Sequence, residues 1–551
     1  MNKHASLLAV FGVLLLISLF SSTIRAHAAS STAFVYTNVS VQQAKVMIDS
    51  DPSLVVLDVR NQSEYDSGHV RNARLIPVWN LTQRLNELNK SNLILVYCKA
   101  GARSSQASQT LVDNSFLYVY NMIGGIEAWN LAGYPAYVNY SSIQGAIDNA
   151  AEATTIYVSK GFYSEHLFIN KSITLVGEDK YATIIDGSNS GTIIYVAADN
   201  VSVSDFTVER PGCSCEGHYG IQIENNSEHI SLTDNEIISD SVGVNATRAQ
   251  DVIIAHNDFS QNYVLSMSIS DCSNILVDGN NMTGYLEGVE ISNSSVVFTD
   301  NILSGSYNGV RVENSMDCTF RGSDFWKGSS GIVLVQSSGN RIFDNNFEGN
   351  FVDVASHNSN DSWSYGGEGN FWSNYTGVDA DLDGIGDTPY VLDANNTDYY
   401  PLMGNFTSFE TNDEQVDVIS NSSITSFGFN VTNPSQGTLV FEVAGQDGTR
   451  GFCRLSIPRA LINGSYTVML DGQVIAEPQF RILSASNESY TYMYINYTHS
   501  EHTIEISGYA TIPEIPKFPS TSMLVILMLA TLSATMVYRR KSPRTSSGFQ
   551  G

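Results

Sequence analysis

Cysteine is scarce in this chain, six in 551 residues. So few thiols over such a length exclude the disulfide framework that holds small secreted domains together. Basic residues are scarce as well: 28 lysines and arginines stand against 56 aspartates and glutamates, a formal net charge of −28. Phosphate recognition needs stripes of basic side chains, so nucleic acid is excluded as an expected partner. An acidic surface of this kind suits solubility and cation binding.

The length is too great for one hydrophobic core and implies roughly three or four domains. Two apolar runs stand outside that count. Residues 1–29 carry a basic start (Lys3, His4), an apolar stretch and small residues before Ala29, the pattern of a secretory signal peptide. Residues 520–538 form a second apolar run, long enough to cross a bilayer as one helix, with Arg539, Arg540 and Lys541 directly after it. Basic residues after the span favour the cytoplasmic side, so the expectation is an exported, membrane-anchored body at the cell surface with a cytoplasmic tail at 539–551. The Pro-rich linker at 512–519 (Pro513, Glu514, Pro516, Phe518, Pro519) resembles the carboxy-terminal sorting signals of archaeal surface proteins, and such tails are cut in some cases. Asn-x-Ser/Thr sequons recur at Asn38, Asn80, Asn170, Asn281, Asn293, Asn374, Asn430, Asn463 and Asn496, as on a glycosylated exterior.

The clearest chemistry lies at Cys98-Lys99-Ala100-Gly101-Ala102-Arg103, between an apolar run at 93–97 and a helix-prone stretch from Ser104. A strand that delivers a cysteine into a tight turn followed at once by a helix aims backbone N–H groups and the positive helix end at the sulfur. With Arg103 beside it, Cys98 is expected to have a lowered pKa and a reactive thiolate. Around it, residues 35–137 alternate short β-branched runs with helical stretches, one of them at 81–88, an α/β layout with a parallel sheet. Ligands of such sheets bind beyond the carboxyl ends of the strands, where Cys98 stands.

Several pieces then agree in order and spacing: Leu57 to Arg60, Glu64-Tyr65, Gly68-His69-Val70, Leu75 to Pro77, Tyr97 to Ser104, Gly124 to Trp129 and Gly133 to Pro135. Together they resemble a single-domain rhodanese, placed here at 32–138. The resemblance implies a sulfurtransferase in which Cys98 takes a sulfane sulfur as a persulfide from a small-molecule donor and passes it to a thiol or other thiophilic acceptor, with no cofactor. By the same implication, backbone N–H groups along Lys99, Ala100, Gly101, Ala102 and Ser104 bind the persulfide or leaving anion, and Arg103 anchors the loop. Related phosphatases and arsenate reductases have one more residue between Cys and Arg, so the short loop here favours sulfur over phosphate. One departure is Arg71-Asn72-Ala73-Arg74 in place of the usual Pro-Gly-Ala, which alters the charge of that rim. Asp58, Arg60 and Glu64 read as a structural ion-pair network, and His69 as a packed, hydrogen-bonded histidine.

From 139 to 403 the chain repeats itself. Apolar anchors at Ile237, Phe259, Met282, Ile302, Phe325, Phe347 and Phe371 each follow an Asn, Asp, Ser or Gly by two residues, and they lie 22, 23, 20, 23, 22 and 24 residues apart. That period suits one coil of a parallel β-solenoid with Asn and Gly in its turns. The lead-in at 143–187 resembles the start of right-handed parallel β-helix proteins of the pectin-lyase-like superfamily, closest to the periplasmic copper-binding accessory type. Superfamily membership does not assign an activity.

Two local patterns concern metals. Asp379, Asp381, Asp383 and Asp387, with Gly384, bring alternate carboxylates around a turn as in Ca²⁺ loops; Tyr390 stands where an EF-hand has glutamate. Cys213, Cys215 and His218 offer soft ligands, but a local disulfide or unligated thiols are expected ahead of copper. Cys272 and Cys318 are expected to stack inside the repeat. Residues 404–511 alternate like the strands of an antiparallel β-sandwich with no chemical constellation.

The expectation is therefore a multidomain cell-surface sulfurtransferase carried on a β-helix stalk, with a C-terminal β-sandwich and a single transmembrane helix. The competing expectations are a glycan- or matrix-binding surface protein with a non-catalytic rhodanese module, and copper handling by the β-helix.

Overall fold

The computed structural model describes residues 35–209, 218–238, 241–259, 264–283, 287–412, 414–433 and 436–510. The expected signal peptide, linker, transmembrane span and tail lie outside the described residues, as do Cys213 and Cys215. Among the described residues, no helix is long and apolar enough to cross a membrane. Two compact units are distinguished, one holding residues up to 319 with 325–338 and 350–359, the other 320–324, 339–349 and 360 onward.

The first unit begins with an α/β domain: β1 (Thr37–Val39), α1 (Val41–Ser50), β2 (Val55–Asp58), α2 (Gln62–Asp66), β3 (Arg74–Leu75), β4 (Leu93–Tyr97), α3 (Ala102–Asp113), β5 (Tyr118–Met122) and α4 (Gly125–Leu131). The strands form one parallel sheet in the order β1-β5-β4-β2-β3. Alternate side chains feed two cores on opposite faces: Leu57, Ile94, Val96 and Cys98 on one, Val56, Leu95 and Tyr97 on the other. Capping boxes start α1 (Ser40 with Gln43) and α2 (Asn61 with Glu64). The stretch at 81–88, expected as a helix, is instead two 3₁₀ turns, Leu81–Gln83 and Leu85–Glu87. Neither turn has a side-chain N-cap, and so short a segment does not offset the cost of α-helix nucleation.

The same unit continues as a β-solenoid. A nine-stranded parallel sheet runs from Leu167–Ile169 to Val352–His357, one strand per coil, and its inward positions stack in register as Ile194, Ile221, Val244, Met267, Val289, Val310, Ile332 and Val354. The recurrent asparagines are not only turn residues. Asn235, Asn257, Asn280 and Asn301 are buried in a ladder: the backbone N–H of each of the first three donates to the side-chain oxygen of the next, at 2.9–3.0 Å. Their side-chain amides donate in turn to Val203, Leu232, Ile254 and Val277 carbonyls. The ladder satisfies backbone groups at a bend that the strands leave unpaired. Cys272 and Cys318 are buried inside the solenoid, as expected.

The second unit has a similar ladder of its own, with the Ser323 N–H donating to the Asn345 side-chain oxygen and the Asn345 N–H to that of Asn370. Beyond them lie two five-stranded antiparallel sheets. One contains Asn405–Thr411, Glu414–Ser420, Arg450–Pro458, Tyr490–Thr498 and Phe480–Ile482, and the other Ser423–Asn433, Gln436–Ala444, His502–Ala510, Ile462–Leu470 and Gln473–Val474. Val418, Leu455 and Ile495 from one sheet and Leu439, Phe441 and Ile504 from the other share a single buried cluster.

Candidate active site

Strand β4 ends at Tyr97 and hands Cys98 to a turn whose Gly101 has φ of +110°, a left-handed conformation that opens helix α3. The Gly101 N–H donates to Cys98 Sγ at 3.1 Å. Cys98 is 1% exposed. Burial pushes the thiol up, but the Ser104 hydroxyl beside the sulfur and the Ser104, Gly101 and Ala100 N–H groups outweigh it, and the net pKa lies below the ordinary thiol value. The loop therefore brings together Cys98, Ala100, Gly101 and Ser104. Lys99 instead points to the surface, 3.5 Å from Glu127.

Arg103 serves the site at one remove. Its guanidinium forms a two-pronged pair with Glu64, 2.7 and 2.6 Å. The hydrogen bond from Arg103 outweighs burial and holds the Glu64 carboxyl down at about 2. Glu64 thus pairs with the loop arginine, while Asp58 and Arg60 make a separate buried pair at 2.6 Å. The Arg60 side chain also donates to the Gly68 carbonyl at 2.8 Å and lies over the Tyr97 ring.

The floor of the loop comes from α4. The N–H of Ile126 donates to the Cys98 carbonyl at 2.9 Å and that of Glu127 to the Lys99 carbonyl at 3.1 Å. These bonds draw the loop carbonyls away from the sulfur. Gly125 makes the approach feasible, since a Cβ there would lie 2.2 Å from the Cys98 oxygen. The Gly124-Gly125 pair was visible in the sequence, but its role was not, because nothing local says which backbone it approaches.

Of the aspartate loop, Asp379, Asp381 and Asp387 come together with carboxylate oxygens within 4.8 Å of one another. Asp383 stands apart from that trio and accepts the Ile385 N–H at 2.9 Å. Three carboxylates suit a hard divalent cation, not copper, and the described residues gather no comparable group of imidazole or thiolate donors.

The Rhodanese-like domain family matches residues 40–132, and the family of the periplasmic copper-binding protein NosD matches residues 147–377. The thiosulfate sulfurtransferase GlpE of Coxiella burnetii is 37% identical over 76 residues, 14% of this chain and 71% of that protein. The putative sulfur carrier protein YrkF of Bacillus subtilis is 35% identical over 100 residues, 18% of this chain and 54% of its own length, so the chain spans about half of that relative. The crystal structure of Alr3790 from Anabaena sp. has 31% identity over 18% of this chain and 80% of that one, with a TM-score of 0.18. Through residues 40–132 the chain belongs to the rhodanese family, fused to a NosD-type β-solenoid.

Proposed function

We propose that this protein is an exported, surface-anchored sulfurtransferase whose rhodanese domain is borne on the solenoid. The observation that carries the reading is the Cys98 turn, a buried thiol with lowered pKa facing three backbone N–H groups in a short Cys-x-x-Gly-x-Arg loop. In the first step the Cys98 thiolate attacks the outer sulfur of a sulfane donor such as thiosulfate. The donor's S–S bond breaks, sulfite leaves with the electron pair, and Cys98 holds a persulfide. A thiophilic nucleophile then attacks the terminal sulfur and releases the thiolate. The loop N–H groups stabilise the anionic sulfur in both steps, and the near-complete burial of Cys98 favours slim donors.

Incubation with thiosulfate followed by mass spectrometry of the Cys98 peptide should show a gain of one sulfur that cyanide discharges as thiocyanate. Cys98→Ser should lack both. Absence of Cys98-dependent transfer from any sulfane donor would overturn the reading. As a separate structural function, Asp379, Asp381 and Asp387 would hold Ca²⁺, in the affinity range of about 10⁻⁴–10⁻³ M typical of extracellular modules.

A further inference from the structure

The rim sequence Arg71-Asn72-Ala73, which departs from the rhodanese pattern, is occupied by the solenoid. Asn72 N–H donates to Glu178 Oε1 at 2.8 Å, and Arg71 Nε to the Glu178 carbonyl at 2.9 Å. His69 Nε2 lies 3.0 Å from Glu178 Oε2, with both side chains buried, while His69 Nδ1 faces the Tyr65 carbonyl at 3.1 Å and its ring stacks on Tyr65 at 3.7 Å. Burial raises the Glu178 pKa, but His69 and the Lys160 and Asn72 N–H groups outweigh it, so the carboxylate is an acceptor only. The Glu178 carboxylate and the Tyr65 carbonyl, both acceptors, thus face the two edges of the His69 ring. Glu178 is itself held in place: it follows Gly177, whose Cβ position would lie 2.0 Å from the Asp205 carbonyl oxygen. Around the pair stand Arg71, Lys160, Asp205, Asp66 and Tyr65.

The segment that Glu178 grips is the one that supports the nucleophile. Glu64 holds Arg103, Gly68 accepts from Arg60, and the Val70 N–H donates to the hydroxyl of Tyr97, the neighbour of Cys98, at 3.1 Å. We propose that Glu178 of the solenoid is a positioning residue for the Cys98 loop, acting through His69 and the segment 64–72. The consequence for turnover rests on the sulfur-transfer reading, whereas the effect on the thiol does not. The solenoid is then part of what sets the reactivity of the rhodanese domain as well as its support.

The test is Glu178→Gln in the full chain, read by the pH profile of iodoacetamide alkylation at the Cys98 peptide. The expected result is an upward shift of the profile by about half a pH unit or more and a roughly threefold to tenfold slower alkylation at pH 7. Docking should survive, because the Val138 N–H donates to the Tyr157 carbonyl at 3.0 Å and the Ser159 N–H to the Val138 carbonyl at 2.9 Å, backbone bonds that the substitution leaves in place. Asp205→Ala, which removes the half-buried carboxylate that pairs with Arg71 and accepts from the Ser204 hydroxyl, should leave the profile unchanged. A Glu178→Gln profile that superimposes on the parent's, or an equal shift in Asp205→Ala, overturns the proposal. If Glu178→Gln does not fold, His69→Gln removes the same pair from the other side and is read by the same criterion. Should the parent take up no persulfide while its alkylation still depends on Glu178, sulfur transfer fails and the positioning role stands.

Discussion

Ile126 donates its backbone N–H to the carbonyl oxygen of Cys98 at 2.9 Å, so the backbone of the proposed nucleophile is bonded to the first turn of a helix that follows in sequence only after another strand. The sulfur faces N–H donors because its carbonyl is engaged elsewhere. Burial raises the thiol pKa, and the hydrogen bonds of Ser104, Gly101 and Ala100 bring it below the ordinary value.

Gly125→Ala tests that tether. The new Cβ would meet the Cys98 and Lys99 carbonyl oxygens at 2.2 and 2.6 Å, and Gly125 has φ of +57°. The expected outcome is a loss of about 2–4 kcal/mol in stability, followed by chemical denaturation, together with slower Cys98 alkylation at neutral pH.

Arg103→Ala should lower kcat/KM for sulfur transfer at least about tenfold, equivalent to about 1.4 kcal/mol. Arg103→Lys should not restore it, since a single ammonium cannot reproduce the two-pronged pair with Glu64. Full activity in the lysine variant, measured by steady-state kinetics, would show that charge alone suffices.

The Glu64–Arg103 pair also predicts a pH dependence. The Glu64 carboxyl sits at about 2 in the folded protein against an ordinary 4.5. A depressed carboxylate stabilises the fold fully above its unfolded pKa and loses that contribution as pH falls toward its folded one. The stability gap between the parent and Glu64→Gln, measured by urea unfolding, should be constant above about pH 5 and close progressively toward pH 2.

Asn257→Ala removes one rung of the buried ladder. It deletes donors to the Leu232 carbonyl at 2.8 Å and the Ala255 carbonyl at 3.1 Å, and the acceptor of the Asn235 N–H. Denaturation should register a cost of about 2–4 kcal/mol, because buried partners are left unsatisfied.

At the aspartate loop, Asp381→Asn should weaken Ca²⁺ binding in calorimetry by about tenfold, whereas Asp383→Asn should have a smaller effect because its carboxylate is turned to the backbone. Equal losses would place Asp383 among the ligands.

Much of the α/β domain and of the repeat was legible in the sequence. Leu93–Tyr97 leading into Cys98 reads as a buried strand with a nucleophile at its end, and the regular spacing of apolar anchors reads as coils. The 81–88 stretch misled because its apolar spacing resembles a helix while its ends carry no side-chain caps. The buried asparagines misled differently, since Asn is common both in turns and inside a solenoid and only the interior position separates the two.

The sequence by itself determined the length of the Cys98 loop, the α/β pattern that presents it and the period of the solenoid, because these follow from backbone geometry over a few residues to one coil. Tertiary structure decided the partners: Arg103 took Glu64, 39 residues away, His69 took Glu178, 109 residues away, and Cys98 received its floor from Gly125 and Ile126. Such pairings depend on how the chain closes on itself in space, and the spacing of residues along it does not encode which distant side chain arrives.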